Sequence, residues 1–334
     1  MRNESIQLGG ATLTTYLLEC IPGVAATQAR SCVLVLPGGG YHHLSAREAE
    51  PVALRFCAEG MHACVLRYSV APARWPQALV ETAAAVALLR AHASEWGIDL
   101  ERIAVMGFSA GGHLAGCLGA FWDESWLAVQ ASELLREGDS HRVVGTLREG
   151  EQMAKPVGED ASTSAAPCVG DARTLYPEDI RPNALVLGYP VVTSGEFAHR
   201  RSFDNLCGQD GESGASVAEH ADLLRFLSLE TRVGPNWPPT FLWHTFDDQS
   251  VPVENSLLLA MALHAAGAPA ELHVFPHGPH GSALGVPETA MDKCGDLVTD
   301  PATGRTFSRN NAQVQPDTIA TWPHLAARWL RYLP

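Results

Sequence analysis

Three separated positions in the sequence carry residue types that could together perform nucleophilic catalysis. Ser109 lies at the centre of GFSAG (107–111), between an apolar segment of strand length and a small-residue segment of helical character. A serine hydroxyl is a weak nucleophile at neutral pH, so it needs a base within hydrogen-bonding distance and a third group that orients this base. An Asp247-Asp248 pair and two histidines in PHGPHG (276–281) follow later in the chain and could supply both groups.

The local sequence favours one member of each pair. Asp248 begins a D-x-x-V-P run, which resembles the turn that carries the acid in hydrolases with this order of groups. We therefore predict Asp248 as the orienting acid, whereas Asp247 would cap or brace the turn. His280 lies in a G-x-H-G sequence, which favours it as the base over His277. His277 would then line the pocket or face solvent.

A glycine-rich loop, PGGGY (37–41), follows an early apolar run and offers main-chain amides to a ligand. Three consecutive glycines cost backbone entropy, which indicates a place where amides must point at something. In esterases with an HGGG-type loop, such amides form half of an oxyanion hole. Pro37 stands where that motif has a histidine. We predict an oxyanion hole made by the amides of Gly39, Gly40 and Ala110.

The elements that must position these groups alternate along the chain. Continuous apolar runs are typical of parallel strands covered on both faces, and helical spacing predicts the helices between them. The predicted strands are 11–18, 32–36, 62–68, 103–106, 183–190, 241–244 and 270–275, and the predicted helices are 45–60, 77–96, 110–120, 125–137, 253–266 and 317–333. Strand and helix in alternation predict an α/β fold with a mostly parallel, doubly wound sheet flanked by helices.

The pattern is interrupted twice, and one helix start carries a capping signal. We predict one domain over residues 1–334, with a lid-like insertion at 122–181 and an irregular loop at 286–315 before the last helix. Ser45 and Glu48 have the spacing of a capping box, which predicts a helix that begins there.

Composition excludes several classes of function. The formal net charge of −14 repels phosphate backbones, so nucleic-acid binding is not expected. The eight cysteines are scattered without a C-x-x-C pair, and no H-E-x-x-H motif occurs, so neither a metal site nor a cofactor is predicted. The N-terminal residues lack the apolar core of a signal peptide, and no apolar stretch is long enough to cross a bilayer. We expect a cytoplasmic protein without a membrane partner.

Several motifs together resemble those of a known family. These motifs are PGGGY (37–41), REAEPVA (47–53), GFSAGGHLA (107–115), RPNALVLGYPVVTSGEFAHR (181–200), FLWHTFDDQSVPVENSL (241–257) and ELHVFPHGPHG (271–281). They resemble the α/β-hydrolase group of bacterial carbohydrate esterases, which includes acetyl xylan esterase-like and feruloyl esterase-like enzymes. The resemblance implies an α/β-hydrolase fold and a Ser-His-Asp esterase, with the three roles carried by Ser109, His280 and Asp248.

The leading hypothesis is a serine carboxylesterase that hydrolyses short-chain esters of small carbohydrates through an acyl-enzyme, with acetyl as the favoured acyl group. Its partner would be an acetylated oligosaccharide or another small ester, and a homo-oligomer is compatible with the sequence. Tyr41, Phe108 and Tyr189 are predicted substrate contacts, although core packing accounts for such aromatic residues equally well. Two alternatives stay open, a serine peptidase or amidase of the same fold and a non-catalytic binder of a small ligand.

Overall fold

One β-sheet forms the centre of the structure, a computed structural model that describes residues 1–138, 174–208, 217–289, 297–299, 306–308 and 316–333. Its strands are β1 (Ser5–Leu8), β2 (Ala11–Tyr16), β3 (Arg30–Leu36), β4 (His62–Arg67), β5 (Ile98–Phe108), β6 (Ala184–Gly188), β7 (Thr240–Thr245) and β8 (Ala270–Phe275). Within the described residues these eight strands follow the spatial order β1-β2-β4-β3-β5-β6-β7-β8. Strands β1, β2 and β4 pair antiparallel, and every pair from β4 to β8 is parallel.

Helices cover both faces of the sheet, which confirms the predicted fold class. The helices are α1 (Glu50–Ala58), α2 (Gln77–Ala91), α3 (Ala93–Trp96), α4 (Ala110–Phe121), α5 (Ser125–Gly138), α6 (Pro177–Ile180), α7 (Arg200–Cys207), α8 (Val217–Phe226), α9 (Glu254–Ala266), α10 (Pro316–Ile319) and α11 (Trp322–Arg331). Alternate residues of β3 belong to different cores: Leu34 and Leu36 pack with α2, α4, α5 and α9, whereas Val33 and Val35 pack with α1 and α11. Burial on both faces explains why β3 is a continuous apolar run.

The strand register brings the ends of distant segments to one edge of the sheet. Gly107 on β5 pairs with Leu36 on β3 and with Leu187 on β6, so these three strands end side by side. On the other side of β6, Thr245 at the end of β7 pairs with the last residue of β8. Because all of these strands run parallel, the segments that follow them meet at this edge.

Several predicted elements differ from those observed. Strand β5 begins at residue 98 rather than 103, and the predicted helix 77–96 is divided into α2 and α3. The capping box is wrong, because Ser45 makes no capping hydrogen bond and the first long helix of that region begins at Glu50. Instead, the Glu48 side chain is buried and contacts distant residues.

The two predicted interruptions are described only in part. In the insertion 122–181, α5 and α6 are described, and residues 139–173 lie outside the described residues, so a lid stays a prediction. In the loop 286–315, a single turn forms at Pro287–Thr289, and β9 (Leu297–Thr299) pairs antiparallel with β10 (Thr306–Ser308). The rest of that loop lies outside the described residues. None of the described helices combines the length and the apolar character that crossing a bilayer demands.

Candidate active site

The turn between β5 and α4 places Ser109 above the edge of the sheet. Ser109 has φ 53° and ψ −117°, a sparsely populated backbone conformation, and its amide donates to the Gly188 carbonyl at 3.0 Å. A Cβ atom on Gly107 would lie 2.0 Å from the Gly111 carbonyl oxygen, so only glycine fits beneath the turn. GFSAG (107–111) therefore forms a strained turn that carries Ser109.

The structure brings Ser109, His280 and Asp248 together. His280 Nε2 lies 2.8 Å from Ser109 Oγ, and His280 Nδ1 lies 2.7 Å from Asp248 Oδ2. An ionised carboxylate only accepts hydrogen bonds, so the imidazole Nδ1–H donates to Asp248. Nε2 of the neutral ring is then free to accept the proton of the serine hydroxyl, which is the arrangement a general base needs.

Four donors surround the carboxylate of Asp248. Oδ1 accepts the amides of Ser250 and Val251 at 2.8 and 3.0 Å, while Oδ2 faces His280 and also His244 Nε2 at 3.4 Å. Burial alone would raise the pKa of Asp248, but the hydrogen bonds from His244 and His280 outweigh burial and hold this pKa well below its usual value. The acid is therefore ionised at neutral pH.

His244 is a site residue that sequence reasoning missed. It is fully buried on β7, where its Nε2 donates to the Val251 carbonyl at 2.9 Å and its Nδ1 lies 2.8 Å from Ser256 Oγ. These contacts fix the ring with its Nε2–H on the Val251 carbonyl, and the same nitrogen lies 3.4 Å from Asp248 Oδ2. The signal that could have identified it is its position, four residues before the acid and at the end of a strand.

The second aspartate and the second histidine, Asp247 and His277, contact each other beside His280. Asp247 Oδ1 accepts the Gly278 amide at 2.8 Å, and Asp247 Oδ2 lies 3.1 Å from His277 Nδ1. The side chain of His277 is half exposed, and its ring is directed to Asp247 rather than to Ser109. Asp247 thus braces the loop that carries His280, and His277 stands outside the hydrogen-bonded series.

The glycine-rich loop and the residue after Ser109 present amides for which the described part of the chain shows no acceptor. The Gly38 amide is engaged by Glu48 Oε2 at 2.8 Å, but within the described ranges no acceptor contacts the amides of Gly39, Gly40 or Ala110. Gly39 has φ 129°, and a Cβ atom there would lie 2.0 Å from the His43 carbonyl oxygen. These are the amides predicted for the oxyanion hole, and their role stays a prediction.

The loop is held in place from several sides. Tyr68 donates its hydroxyl to the Pro37 carbonyl at 2.7 Å, and Asn205 Nδ2 donates to the Gly40 carbonyl at 2.8 Å. Pro37 therefore anchors the loop through its carbonyl, although it lacks the side chain of the histidine found in HGGG-type loops.

The three predicted substrate contacts are corrected by their burial. Tyr41, Phe108 and Tyr189 are at most 2% exposed, so their side chains support the site from beneath. Tyr41 and Tyr189 have φ of 56° and 36°, a backbone conformation that is uncommon for residues other than glycine. The Tyr41 hydroxyl contacts His113 Nδ1 at 2.9 Å, and His113 Nε2 donates to the Leu227 carbonyl at 2.8 Å. Burial lowers the pKa of His113 to about 4, so this ring is neutral.

A further histidine, His199, lies beside the glycine-rich loop. Its Cε1 is 4.0 Å from the position that a Cβ atom on Gly40 would take, and its Nδ1 contacts Ser202 Oγ at 2.8 Å. Burial lowers the pKa of His199, and the nearby His280 acts in the same direction. It lies within the motif 181–200, which did not single it out as a site residue. Among the residues that the structure describes, no three His, Cys, Asp or Glu side chains converge as metal ligands.

The chain is similar in sequence and in structure to several known proteins. A family model described as BD-FAE matches residues 21–144. The chain is 30% identical to the acetyl ester-xyloside bifunctional hydrolase from Caldicellulosiruptor lactoaceticus. The two structures superimpose with a TM-score of 0.66, and the alignment covers 99% of this chain and 96% of the hydrolase.

Two curated relatives are longer proteins. Over 75% of the present chain, the sequence is 32% identical to endo-1,4-beta-xylanase B of Butyrivibrio fibrisolvens. Over 83% of the present chain, it is 23% identical to the acetylxylan esterase of Xylanibacter ruminicola. It spans only 32% and 45% of these two relatives.

Proposed function

The chain belongs to the esterase-like α/β hydrolases, and we propose from this premise that it is a serine carboxylesterase that removes short acyl groups, above all acetyl, from small carbohydrate esters. The observation that carries the proposal is the hydrogen-bonded series Ser109, His280 and Asp248, with distances of 2.8 and 2.7 Å. Unpartnered amides beside Ser109 add the second requirement of acyl transfer, which is a place for an oxyanion.

In the proposed reaction, His280 Nε2 takes the proton of Ser109 while Oγ attacks the ester carbonyl. Asp248 keeps the imidazole in the required tautomer and stabilises its cation. The amides of Gly39, Gly40 and Ala110 receive the oxyanion, and loss of one such donor typically costs about 100- to 1000-fold in rate. His280 then protonates the leaving alcohol, and an activated water releases the acyl group from Ser109 by the same steps in reverse.

The carbohydrate part of the proposal is supported by the names of the relatives. One is an acetylxylan esterase, one acts on an acetyl ester and a xyloside, and one is a xylanase. We therefore propose acetylated xylo-oligosaccharides as the substrate class. The cytoplasmic location and a homo-oligomeric state stay predictions from the sequence.

A substrate panel tests the proposal. It contains acetylated xylo-oligosaccharides, p-nitrophenyl esters from acetate to octanoate, a feruloyl ester and an aminoacyl p-nitroanilide. We expect acetate release from the oligosaccharides, a fall in kcat/KM beyond short acyl chains, and no cleavage of the anilide.

Ser109→Ala is the decisive variant in this panel. It should lose at least about 1000-fold in kcat, because no other group supplies the nucleophile. Its thermal unfolding midpoint should stay close to that of the wild type. Ester cleavage that survives in Ser109→Ala, or cleavage of the anilide in preference to the esters, would contradict the proposal.

A further inference from the structure

Glu48 is a buried carboxylate that the proposed reaction does not use, yet it contacts both loops beside Ser109. Its exposed fraction is 2%. Oε2 accepts the Gly38 amide at 2.8 Å, and Oε1 accepts the Tyr189 hydroxyl at 2.6 Å. The Tyr189 oxygen in turn accepts the amide of Ala283 at 3.0 Å. A continuous series of hydrogen bonds therefore runs from Gly38 through Glu48 and Tyr189 to Ala283.

The two ends of this series lie in the two loops whose spacing matters for acyl transfer. Gly38 immediately precedes the unpartnered amides of Gly39 and Gly40, and Ala283 follows His280 by three residues. The Tyr189 ring also packs edge-on against the His280 ring, with centroids 5.0 Å apart. A shift of Glu48 would therefore move the amides relative to the imidazole.

Gly38 lies between the carboxylate and the nucleophile. A Cβ atom on Gly38 would lie 2.7 Å from Glu48 Oε2 and 3.0 Å from Ser109 Cβ, so a side chain at residue 38 would displace one of them. The preceding residue, Arg47, donates from Nη1 to the carbonyls of Gly281 and Thr289 at 2.7 and 2.9 Å. The pair Arg47-Glu48 thus holds the backbone of the segment that follows His280.

An ionised carboxylate suits this position better than an amide. Both groups that face Glu48 are donors, because a main-chain amide cannot accept and the Tyr189 oxygen already accepts from Ala283. Burial, reinforced by the charge of Glu48, raises the pKa of Tyr189 well above its usual value, so the phenol keeps its proton. A glutamine would direct its NH₂ group at one of the two donors and leave a buried group unsatisfied.

We propose that Glu48 is a positioning residue that sets the distance between the oxyanion amides and the His280 imidazole, acting on one side through Gly38 and on the other through Tyr189. This proposal rests on the proposed function, since it assigns the residue a part in the same reaction. Glu48 itself touches none of the reacting atoms.

The test compares Glu48→Gln and Tyr189→Phe with the control variant Glu50→Gln. Glu50 is an exposed carboxylate two residues after Glu48. With p-nitrophenyl acetate, Glu48→Gln should lower kcat by about 10- to 1000-fold, because misplaced oxyanion donors weaken transition-state stabilisation. KM should change by less than about threefold, since this pattern marks an interaction made in the transition state. Glu50→Gln should match the wild type in both constants.

A double-mutant cycle separates positioning from general destabilisation. Tyr189→Phe keeps the ring that packs on His280 and removes only the hydroxyl, so its loss in kcat should be smaller than that of Glu48→Gln. The double variant should lose little more than Glu48→Gln alone, because both changes interrupt the same series. Additive losses, or losses that follow the fraction of unfolded protein, would overturn the proposal. If Glu48→Gln does not fold, the kcat of Tyr189→Phe relative to the wild type still tests the proposal.

The rate at which a fluorophosphonate phosphonylates Ser109 distinguishes this proposal from the proposed function. In that reaction Ser109 Oγ bonds to phosphorus, fluoride leaves and His280 takes the proton, and no carbohydrate is recognised. Wild-type protein that reacts with the probe but cleaves no ester would contradict the proposed function alone, while a slower reaction of Glu48→Gln would still support positioning. Equal probe rates in both proteins would overturn the positioning role. Folded wild type that does not react at all would overturn both proposals.

Discussion

Replacement of Asp248 by asparagine should abolish activity by reversing the hydrogen bonds of His280. In the structure, Asp248 Oδ1 accepts two main-chain amides, from Ser250 and Val251. An asparagine at this position would keep its carbonyl oxygen where those two donors converge, because the alternative orientation would direct its NH₂ group at two main-chain N–H donors that cannot change direction. Its NH₂ would then replace Oδ2, which lies 2.7 Å from His280 Nδ1.

The consequence follows from the tautomers of imidazole. A donor at position 248 makes Nδ1 of His280 an acceptor, so the ring proton moves to Nε2. Nε2 lies 2.8 Å from Ser109 Oγ and can no longer accept the serine proton. The equivalent change in a well-studied serine protease lowers kcat by about 10⁴-fold, and the same tautomer argument predicts a loss of that order here. This loss corresponds to about 5.5 kcal/mol of transition-state stabilisation.

The measurement is kcat for p-nitrophenyl acetate at pH 7, with the far-ultraviolet spectrum and the unfolding midpoint of each variant as checks of folding. Asp247→Asn is the matched control, because Asp247 is the adjacent carboxylate and its oxygen can still accept the Gly278 amide after the change. We expect the control to lose less than about 10-fold in kcat, since the tautomer of His280 is unaffected. A folded Asp248→Asn protein within about 10-fold of the wild type, or equal losses in the two variants, would refute the tautomer argument.

Three further predictions test the base, the glycine-rich loop and a buried histidine. His280→Ala should lower kcat by at least about 1000-fold, whereas His277→Ala should stay within about threefold of the wild type, because only the former faces Ser109; similar losses in both would contradict the choice of base. Gly39→Ala places a methyl group 2.0 Å from a main-chain oxygen and should lower kcat by about 100- to 1000-fold, while Gly234→Ala, which meets open space, should leave kcat unchanged. Burial lowers the pKa of His113 from 6.5 to about 4, so the unfolded chain binds a proton that the folded protein does not, and the free energy of unfolding should fall by up to about 3 kcal/mol as the pH drops through this interval. When the free energy of unfolding from urea titrations is plotted against pH, His113→Asn should reduce the slope between pH 6.5 and about 4. Equal slopes in both proteins would show that His113 is not the group responsible.

Strand positions could be predicted from the sequence because most strands of this sheet are covered on both faces. The continuous run in β3 and the apolar residues that end β5 give an unambiguous signal, and the glycines around Ser109 identify the turn between them. The early half of β5 was not predicted, since residues 99–102 are polar or exposed and break the apolar pattern. Helices α7 and α8 were not predicted either, because they are only eight and ten residues long.

Side-chain direction within the site could not be predicted. Tyr41 and Tyr189 stand next to the glycine-rich loop and the end of β6, where the sequence makes them candidates for substrate contact. Both rings are buried, and both residues have positive φ values. Hydrophobic periodicity carries no information about such single-residue conformations. Glu48 was misread because an S-x-x-E spacing fits a helix cap, whereas its true partners lie 10 and 141 residues away.

All three acids of the site accept main-chain amides of loops, so residue type alone does not identify the acid that orients His280. Loops beyond the ends of parallel strands leave main-chain amides without ladder partners, and a carboxylate satisfies such donors well. Glu48 accepts the Gly38 amide, Asp247 accepts the Gly278 amide, and Asp248 accepts two amides of its own turn. All three acids therefore stabilise loops, and chemistry alone does not separate them. What separates Asp248 is that its second oxygen is directed at the imidazole that contacts Ser109, whereas the second oxygen of Asp247 faces His277. This difference is a property of the loop geometry rather than of the residue type.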